Sequence, residues 1–171
     1  YSSAGIATSK VYQVSADFRP AGTNPQNRGG VIGWLDTGSS NGIVLQVVPK
    51  GNLVGFLLSC VDFVQSTHNT DHLYNLDGSP ASTLAGSARS PLGTNYVITE
   101  FATFELEFTN ASPADQSVLP GATARIVGRV WQGTGTNRIQ VNETLELLTD
   151  LPQPANESHR VGYFAVWGSV V

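Results

Sequence analysis

Asp36-Thr37-Gly38-Ser39-Ser40 combines the residue types of a loop that could activate water. In such a loop an aspartate stands at a tight turn, where a hydroxyl and backbone N–H groups support its carboxylate. A second aspartate then shares one proton with the first, and the pair performs acid–base catalysis. The first question is whether Asp36 belongs to such a carboxylate pair or to a polar turn between two strands.

The residues around Asp36 resemble those of pepsin-like aspartic proteases. The stretch "GTNPQNRGGVIGWLDTGSSNGIVL" is similar to their Gly-Thr-Pro-Pro-Gln, short apolar strand and Asp-Thr-Gly-Ser-Ser-Asn. The chain has no second Asp-Thr/Ser-Gly and no Tyr-Gly-Thr-Gly flap, and Asp77 in "NLDGSP" lacks the intervening hydroxyl residue. A retroviral-type homodimer would supply the second aspartate, but "RIVGRV" then leads into the turn "WQGTGTN" and not into a helix. A homodimeric aspartic protease that uses Asp36 is kept as an alternative to a polar turn.

Other residue pairs offer weaker chemistry. His68 and His72 are four residues apart with Asp71 between them, a spacing that can hold a metal on a helix, but their segment "STHNTDHLYN" is typical of a loop. Glu105 and Glu107 share one strand face, as in jelly-roll glycosidases, and the same spacing marks a solvent-exposed face. No Gly-x-Ser-x-Gly and no glycine-rich phosphate loop occur. We therefore predict no enzyme activity, no cofactor and no metal.

The elements that must position these residues are strands. Alternation of apolar and polar residues predicts half-buried strands in "VYQVSADF", "FATFELEF", "IQVNETLEL" and "VGYFAVW", and another in "ARIVGRVW". "VIGWL", "GIVLQVV" and "LVGFLLSCVDFV" predict more fully buried strands. No window predicts a helix. About eight short strands separated by Gly and Pro turns indicate an all-β fold. We expect a single antiparallel β-sandwich or barrel with long polar loops over residues 1–171.

Composition excludes several classes of protein. The chain has 171 residues, of which 13% are charged, and a net charge of −4. Nothing forms a basic stripe, so we predict no nucleic-acid binding, and no apolar run predicts insertion into a membrane. The chain contains no Met and opens "YSSAGIATSK", which predicts a processed protein or a piece excised from a larger polypeptide. Cys60 is the single cysteine, so no internal disulfide forms, and we expect it to be a small buried residue.

The longest predicted loop, residues 65–95, is rich in Ser, Thr, Asn, Asp and Gly. It is about twice the usual upper length of an unstructured loop in a compact domain. It is therefore either functional or contains short strands, and its polar composition suits a displayed recognition surface.

Parts of the chain resemble the protruding domain of calicivirus capsids, in particular its distal subdomain. The matching pieces are Gly51 to Gly55, Leu76 to Pro80 and Pro91 to Gly93, and "RVGYFAVWGSVV" is similar to that family's Tyr-Val-Gly-apolar-apolar-Ser-Trp strand. The resemblance covers residues 40–95 and 160–171. Residues 96–159 do not align, and the family's Asp and His ligands for blood-group sugars have no counterpart here. Spikes of nodaviruses, astroviruses or hepeviruses are other possible relatives.

The resemblance implies a capsid protruding domain, cut from a larger capsid polypeptide, that attaches the virion to a host glycan or protein receptor and carries loops recognised by neutralising antibodies. It implies a location on the virion surface and a homodimer or homotrimer. The candidate ligand-binding residues are Asp36, Ser39, Ser40, Asn41, His68, Asn69, Asp71, His72, Tyr74, Arg89, Trp167 and Ser169. Trp34, Trp131 and Trp167 are candidate aromatic platforms, and for at least two of the three we favour core packing.

A secreted carbohydrate-binding or adhesin β-sandwich is the second hypothesis. Asn110, Asn142 and Asn156 begin Asn-x-Ser/Thr sequons, which matter only in a secretory compartment. Three occupied sequons would favour this hypothesis, whereas a capsid protein assembled in the cytosol would leave them bare.

Overall fold

A computed structural model describes residues 2–5, 11–19, 28–36, 41–50, 53–62, 87–91, 95–151 and 159–166. Within these ranges the chain forms eleven strands, one α-helix and one 3-10 turn at Gly135–Asn137. The helix is α1 (Pro113–Val118). The strands are β1 (Ser2–Gly5), β2 (Tyr12–Phe18), β3 (Arg28–Asp36), β4 (Asn41–Lys50), β5 (Leu53–Asp62), β6 (Ser87–Pro91), β7 (Ala102–Asn110), β8 (Ala124–Gln132), β9 (Ile139–Gln140), β10 (Leu145–Thr149) and β11 (His159–Val166).

The strands form two antiparallel sheets. The first sheet has six strands in the order β1-β11-β3-β4-β5-β6. The second sheet has the order β10-β8-β7-β2, with β9 paired to β8. The prediction of an all-β antiparallel sandwich or barrel is confirmed as to its all-β class, and the strands form two sheets. Strand β6 lies within the segment that the sequence left as one long loop, so that loop does contain a short strand.

Alternation along the strands decides which residues enter the core between the sheets. Along β7, Ala102, Phe104, Leu106 and Phe108 are buried, while the residues between them are only half-buried. The first sheet contributes a matching apolar face to the same cluster: Val31, Trp34, Ile43, Leu45, Val47, Phe56 and Leu58. Side chains that alternate on a pleated strand can fill one shared core in this way.

The described side chains of β3, β4 and β5 are buried on both faces of the first sheet. Val44 and Gln46 alternate with the core residues Ile43, Leu45 and Val47, and both are fully buried. Among the described side chains, residues 31–35, 42–47 and 56–58 are all buried, which confirms the prediction of more fully buried strands for these residues. The amide of Gln46 has no hydrogen-bond partner, which is an unusual arrangement for a side chain without exposure.

Helix α1 was not predicted, because no window of the sequence offers a helical apolar stripe with caps. The hydroxyl of Ser112 accepts a hydrogen bond from the Asp115 backbone N–H, and the Asp115 carboxylate accepts one from the Ser112 backbone N–H. Pro113 occupies the first turn, where its missing N–H costs nothing. These capping contacts stabilise a helix of six residues, which is too short to show an apolar stripe in the sequence.

Asp115 should make stability depend on pH. The backbone N–H and the hydroxyl of Ser112, followed by the guanidinium of Arg125, hold the pKa of the Asp115 carboxyl below its ordinary value. A lowered pKa in the folded state stabilises the fold above the pKa of the unfolded carboxyl, and this contribution is lost as the pH falls through the folded pKa. We expect Asp115→Asn to destabilise the protein at neutral pH and to lose that effect in acid. Urea unfolding at a series of pH values measures the difference, and a pH-independent difference would contradict the prediction.

The predicted strand from Ile139 to Leu147 is also wrong in part. It is divided into β9 and β10, and Asn142 lies between them with its side chain buried. The Asn142 amide oxygen accepts the backbone N–H of Val130 at 2.7 Å, so a side chain occupies the place of a strand partner. The alternation of apolar and polar residues could not predict that a side chain replaces a strand partner here, because Val141 and Leu145 are apolar on either side of Asn142.

Candidate functional site

Four polar residues lie in one row across the end of the first sheet. His159 on β11 pairs with Asp36 on β3, and Asn41 on β4 pairs with Asp62 on β5. Leu35 pairs with Gly42, so Asp36 and Asn41 come next in register. We call this row, His159–Asp36–Asn41–Asp62, the polar row. Because neighbouring strands are about 4.8 Å apart, the four backbone positions of the row lie side by side across the sheet.

A bulge in β3 determines which residue of that strand enters the row. The pairing of β3 with β4 shifts between Ile32 and Trp34, and its pairing with β11 shifts between Arg160 and Gly162. Gly33 is therefore an extra residue on β3, and Val31 and Trp34 both reach the core. Without the bulge, the residues after it would move by one position relative to β4 and β11.

Three connecting segments attach to the sheet at the polar row. Residues 37–40 join Asp36 to Asn41, residues 63–86 follow Asp62, and residues 152–158 precede His159. The long segment 63–86 returns at Ser87, which pairs with Ser59 near the same end. The predicted site residues Ser39, Ser40, His68, Asn69, Asp71, His72 and Tyr74 belong to the first two segments and lie outside the described residues.

The remaining predicted site residues attach elsewhere. Arg89 was expected in a displayed loop, but its backbone lies in the edge strand β6, paired with Leu57. Trp167 and Ser169 lie outside the described residues and follow Val166, which pairs with Arg28 at the opposite end of β3. The register therefore places Asp36 and Asn41 in adjacent positions, whereas Val166, the last described residue before Trp167, lies at the other end of β3.

Two of the three tryptophans are described, and they differ in role. Trp34 is 4% exposed and belongs to the core, so it is not an aromatic platform. Trp131 lies on the outward face of β8 and is half-buried. The guanidinium carbon of Arg138 lies 4.6 Å from the centroid of the Trp131 ring, so an arginine already stacks on this indole.

Phe101 is a second outward-facing aromatic residue of this sheet. It lies two residues before Thr103, which pairs with Trp131. It is 45% exposed, and the guanidinium carbon of Arg19 lies 4.9 Å from its ring centroid. Phe101 was not predicted as a surface residue, although the alternation in "FATFELEF" indicates an outward position for it. Phe101 has the outward parity of Glu105, while Ala102 and Phe104 point inward.

The carboxylates of Glu105 and Glu107 are ion-paired on the outer face of the second sheet. Glu107 lies 2.8 Å from Arg129, and Glu105 lies 3.5 Å from Arg129 and 3.4 Å from Arg138. The two acids therefore share a basic partner across an open strand face and do not oppose each other across a cleft. This geometry favours an ion-paired outer strand face over a glycosidase site, and the ion pairs contribute modestly to stability.

The segment "RIVGRV", which was predicted to lead into a turn and not into the helix of a dimeric protease, is part of the core of the second sheet. Gly128 of "RIVGRV" lies in the middle of β8, where a Cβ atom would approach Leu45 and Leu58 of the first sheet at 3.2 and 3.5 Å. This segment continues as a strand to Gln132, followed by the 3-10 turn at Gly135–Asn137. The helix that a retroviral-type dimer requires does not follow Gly128.

Within the described side chains, no group of three or more His, Cys, Asp or Glu residues could hold a metal ion. In the same part of the chain, no helix is long and apolar enough to cross a membrane. Comparison of the sequence and structure with protein-family models, curated proteins and solved structures found no match.

Proposed function

We propose that this chain is the protruding domain of a virus capsid protein, which attaches the virion to a receptor on the host cell. The observation that carries the proposal is the polar row. Four strands end there in His, Asp, Asn and Asp, and three polar connecting segments attach to the same end of the sheet. Such a gathering of polar groups on a sheet scaffold is typical of a recognition surface.

The chemistry of the row suits a glycan receptor. Carboxylate and amide oxygens accept hydrogen bonds from sugar hydroxyls, and amide and imidazole N–H groups donate to them. The polar side chains of segments 37–40 and 63–86 would add to this set. Each contact is weak, but a capsid presents many copies, so avidity would supply the strength of attachment.

The resemblance to calicivirus protruding domains supports the same function. It implies that the domain is carried on the virion surface as a homodimer or homotrimer. Neutralising antibodies would then recognise the segments attached at the polar row. The secreted adhesin hypothesis predicts a similar sugar-binding surface, so binding alone does not separate the two proposals.

Binding of the full chain to immobilised animal-cell-surface glycans tests the proposal. Multivalent particles that display the chain should bind at least one glycan class or a permissive cell line. The combined substitution Asp36→Ala and Asn41→Ala should weaken binding about tenfold or more, equivalent to about 1.4 kcal/mol or more. Replacement of residues 68–74 by a Gly/Ser segment of equal length should also weaken binding.

The matched control is Phe101→Ala, on the outer face of the second sheet and away from the polar row. It should leave binding unchanged, and circular dichroism should show the same melting behaviour for the Asp36/Asn41 variant and the wild type. If the Asp36/Asn41 variant and the replacement of residues 68–74 both leave binding unchanged while Phe101→Ala abolishes it, the attachment site lies on the second sheet and the proposed site is wrong.

A further inference from the structure

We infer that this chain folds only when Asn142 carries no N-linked glycan, and that it therefore folds in a compartment without N-glycosylation. Asn142-Glu143-Thr144 is a sequon by sequence. The folded structure buries the acceptor side chain against β8 and uses both ends of its amide in hydrogen bonds. The inference is independent of the attachment function proposed above.

The Asn142 side chain is 8% exposed, and both ends of its amide are used. Its Oδ1 accepts the Val130 N–H at 2.7 Å. Its Nδ2 donates to the carbonyl oxygens of Glu143 at 2.7 Å and Gly128 at 3.4 Å. Glycosylation replaces one of the two hydrogens on Nδ2, so a glycosylated Asn142 loses at least one of these donor bonds and must also expose the buried nitrogen.

The surrounding backbone leaves Asn142 little freedom to turn outward. Val141 donates its N–H to the carbonyl oxygen of Val130 at 2.9 Å, which ties the preceding residue to β8. The Gln140 side chain donates to the Asn142 carbonyl oxygen at 3.0 Å and to the Thr144 hydroxyl at 2.9 Å. Turning the Asn142 side chain toward solvent would leave the buried N–H of Val130 without its partner.

Asn110 provides an internal comparison, because its sequon has a different environment. Asn110 is exposed and is the last residue of β7, and Ala111 and the N-cap residue Ser112 separate it from helix α1. A glycan there would extend from the surface of the folded chain. The obstacle to glycosylation is therefore specific to Asn142 and is not a property of every sequon in this sheet.

The difference between Asn142 and Asn110 affects folding because the glycan is transferred before the chain folds. The sugar is transferred to sequons in extended, unfolded chain, before a buried asparagine is protected by folding. A chain that entered a glycosylating lumen would be modified at Asn142 and would then be unable to close β8 against β9 and β10. This consequence separates a domain made in the cytosol, such as a capsid domain, from a secreted adhesin.

A secretion assay tests the inference. The full chain is fused to a secretory signal peptide and expressed in cultured insect cells, with and without Thr144→Ala. Thr144 is exposed, and the substitution removes the sequon and one exposed hydrogen bond from Gln140 while keeping Asn142. Both versions carry Asn110→Gln and Asn156→Gln, so that Asn142 is the one remaining acceptor. Both are first made in the bacterial cytosol, where we expect similar melting temperatures.

We expect the chain that retains Thr144 to be glycosylated, held in the cell and secreted at least several-fold less than the Thr144→Ala chain. Tunicamycin, which blocks glycan transfer, should remove the difference. Equal secretion of folded protein from both versions would overturn the inference, whether or not Asn142 is occupied. Equal retention of both versions would also overturn it, because the glycan would then not be the obstacle.

Discussion

Replacement of Gly33 by valine is expected to leave little or no folded protein. A Cβ atom at Gly33 would lie 2.5 Å from Cε2 of Phe108 and 2.7 Å from Cδ1 of Leu106. Both neighbours are fully buried on β7, so the two sheets would have to separate at this point. Even Gly33→Ala should cost about 3 kcal/mol, the upper end of the usual penalty for overpacking, and valine should cost more.

The Phe108 ring has little freedom to move away from an added side chain. It stacks on Tyr12 with a centroid distance of 4.5 Å and an interplanar angle of 9°. The Tyr12 hydroxyl donates a hydrogen bond to the Gly33 carbonyl oxygen at 2.8 Å, which holds β2 against the bulge in β3. Tyr12 therefore restrains both the Phe108 ring and the backbone at Gly33. Rotation of the Phe108 ring alone cannot relieve the clash with an added side chain.

Gly128→Ala is the matched control for Gly33→Ala. Its added methyl group would meet only flexible side-chain ends, Cδ1 of Leu45 at 3.2 Å and Cδ2 of Leu58 at 3.5 Å. Alanine also restricts the unfolded chain more than glycine does, so the net change should be within about 1 kcal/mol. Urea unfolding of both variants measures the difference. Similar midpoints for the two would show that the bulge tolerates a side chain and would contradict the prediction.

The bulge at Gly33 also explains why the polar row was difficult to predict from sequence. Strict alternation in "VIGWLD" places Trp34 on the same face as Ile32, whereas the structure places Trp34 in the core with Val31. The residues that Gly33 faces in the bulge, Leu106 and Phe108, are distant in sequence. Sequence predicted a polar segment at Asp36, but its alignment with His159 and Asp62 follows from non-local pairing.

Features determined by local patterns were predicted well. The alternation in "FATFELEF" gave the buried face of β7, because every second residue enters the same core. Features that depend on individual side-chain hydrogen bonds were missed. Ser112 and Asp115 cap α1 by bonding to each other's backbone, and Asn142 replaces a strand partner of β8. Both features use polar residues, which apolar periodicity alone assigns to loops.

The candidate site was predicted less completely than the fold. Asp36 and Asn41 were identified by residue type, and the sheet register places them beside His159 and Asp62, which sequence reasoning did not select. Arg89 was assigned to a loop because its segment is rich in Ser and Gly, yet it pairs with Leu57 in β6. Composition indicates where polar residues are abundant, but only strand pairing determines which of them become neighbours.

Phe104 occupies the centre of the contact between the two sheets. It is fully buried, and its ring packs edge-on against Phe18 of the same sheet at a centroid distance of 5.6 Å. Across the core it contacts Phe56 of the first sheet at 5.9 Å, and Phe56 in turn contacts Tyr96 at 5.1 Å. These edge-to-face contacts connect β2, β7 and β5 with the segment that precedes β7, so one ring supports both sheets.

Phe104→Ala is therefore expected to destabilise the protein by about 3–5 kcal/mol, because it removes buried apolar surface and leaves a cavity that the two sheets cannot easily close. Since small domains are usually stable by about 5–15 kcal/mol, the variant should be close to unfolding at body temperature. Phe101→Ala is the control: Phe101 is 45% exposed and its ring contacts Arg19, so its loss should cost about 1 kcal/mol or less. Thermal and urea unfolding of both variants measure the difference. Equal losses would mean that the two sheets are not held together at Phe104, whereas a large loss at Phe104 alone would identify this ring as a principal contact between them.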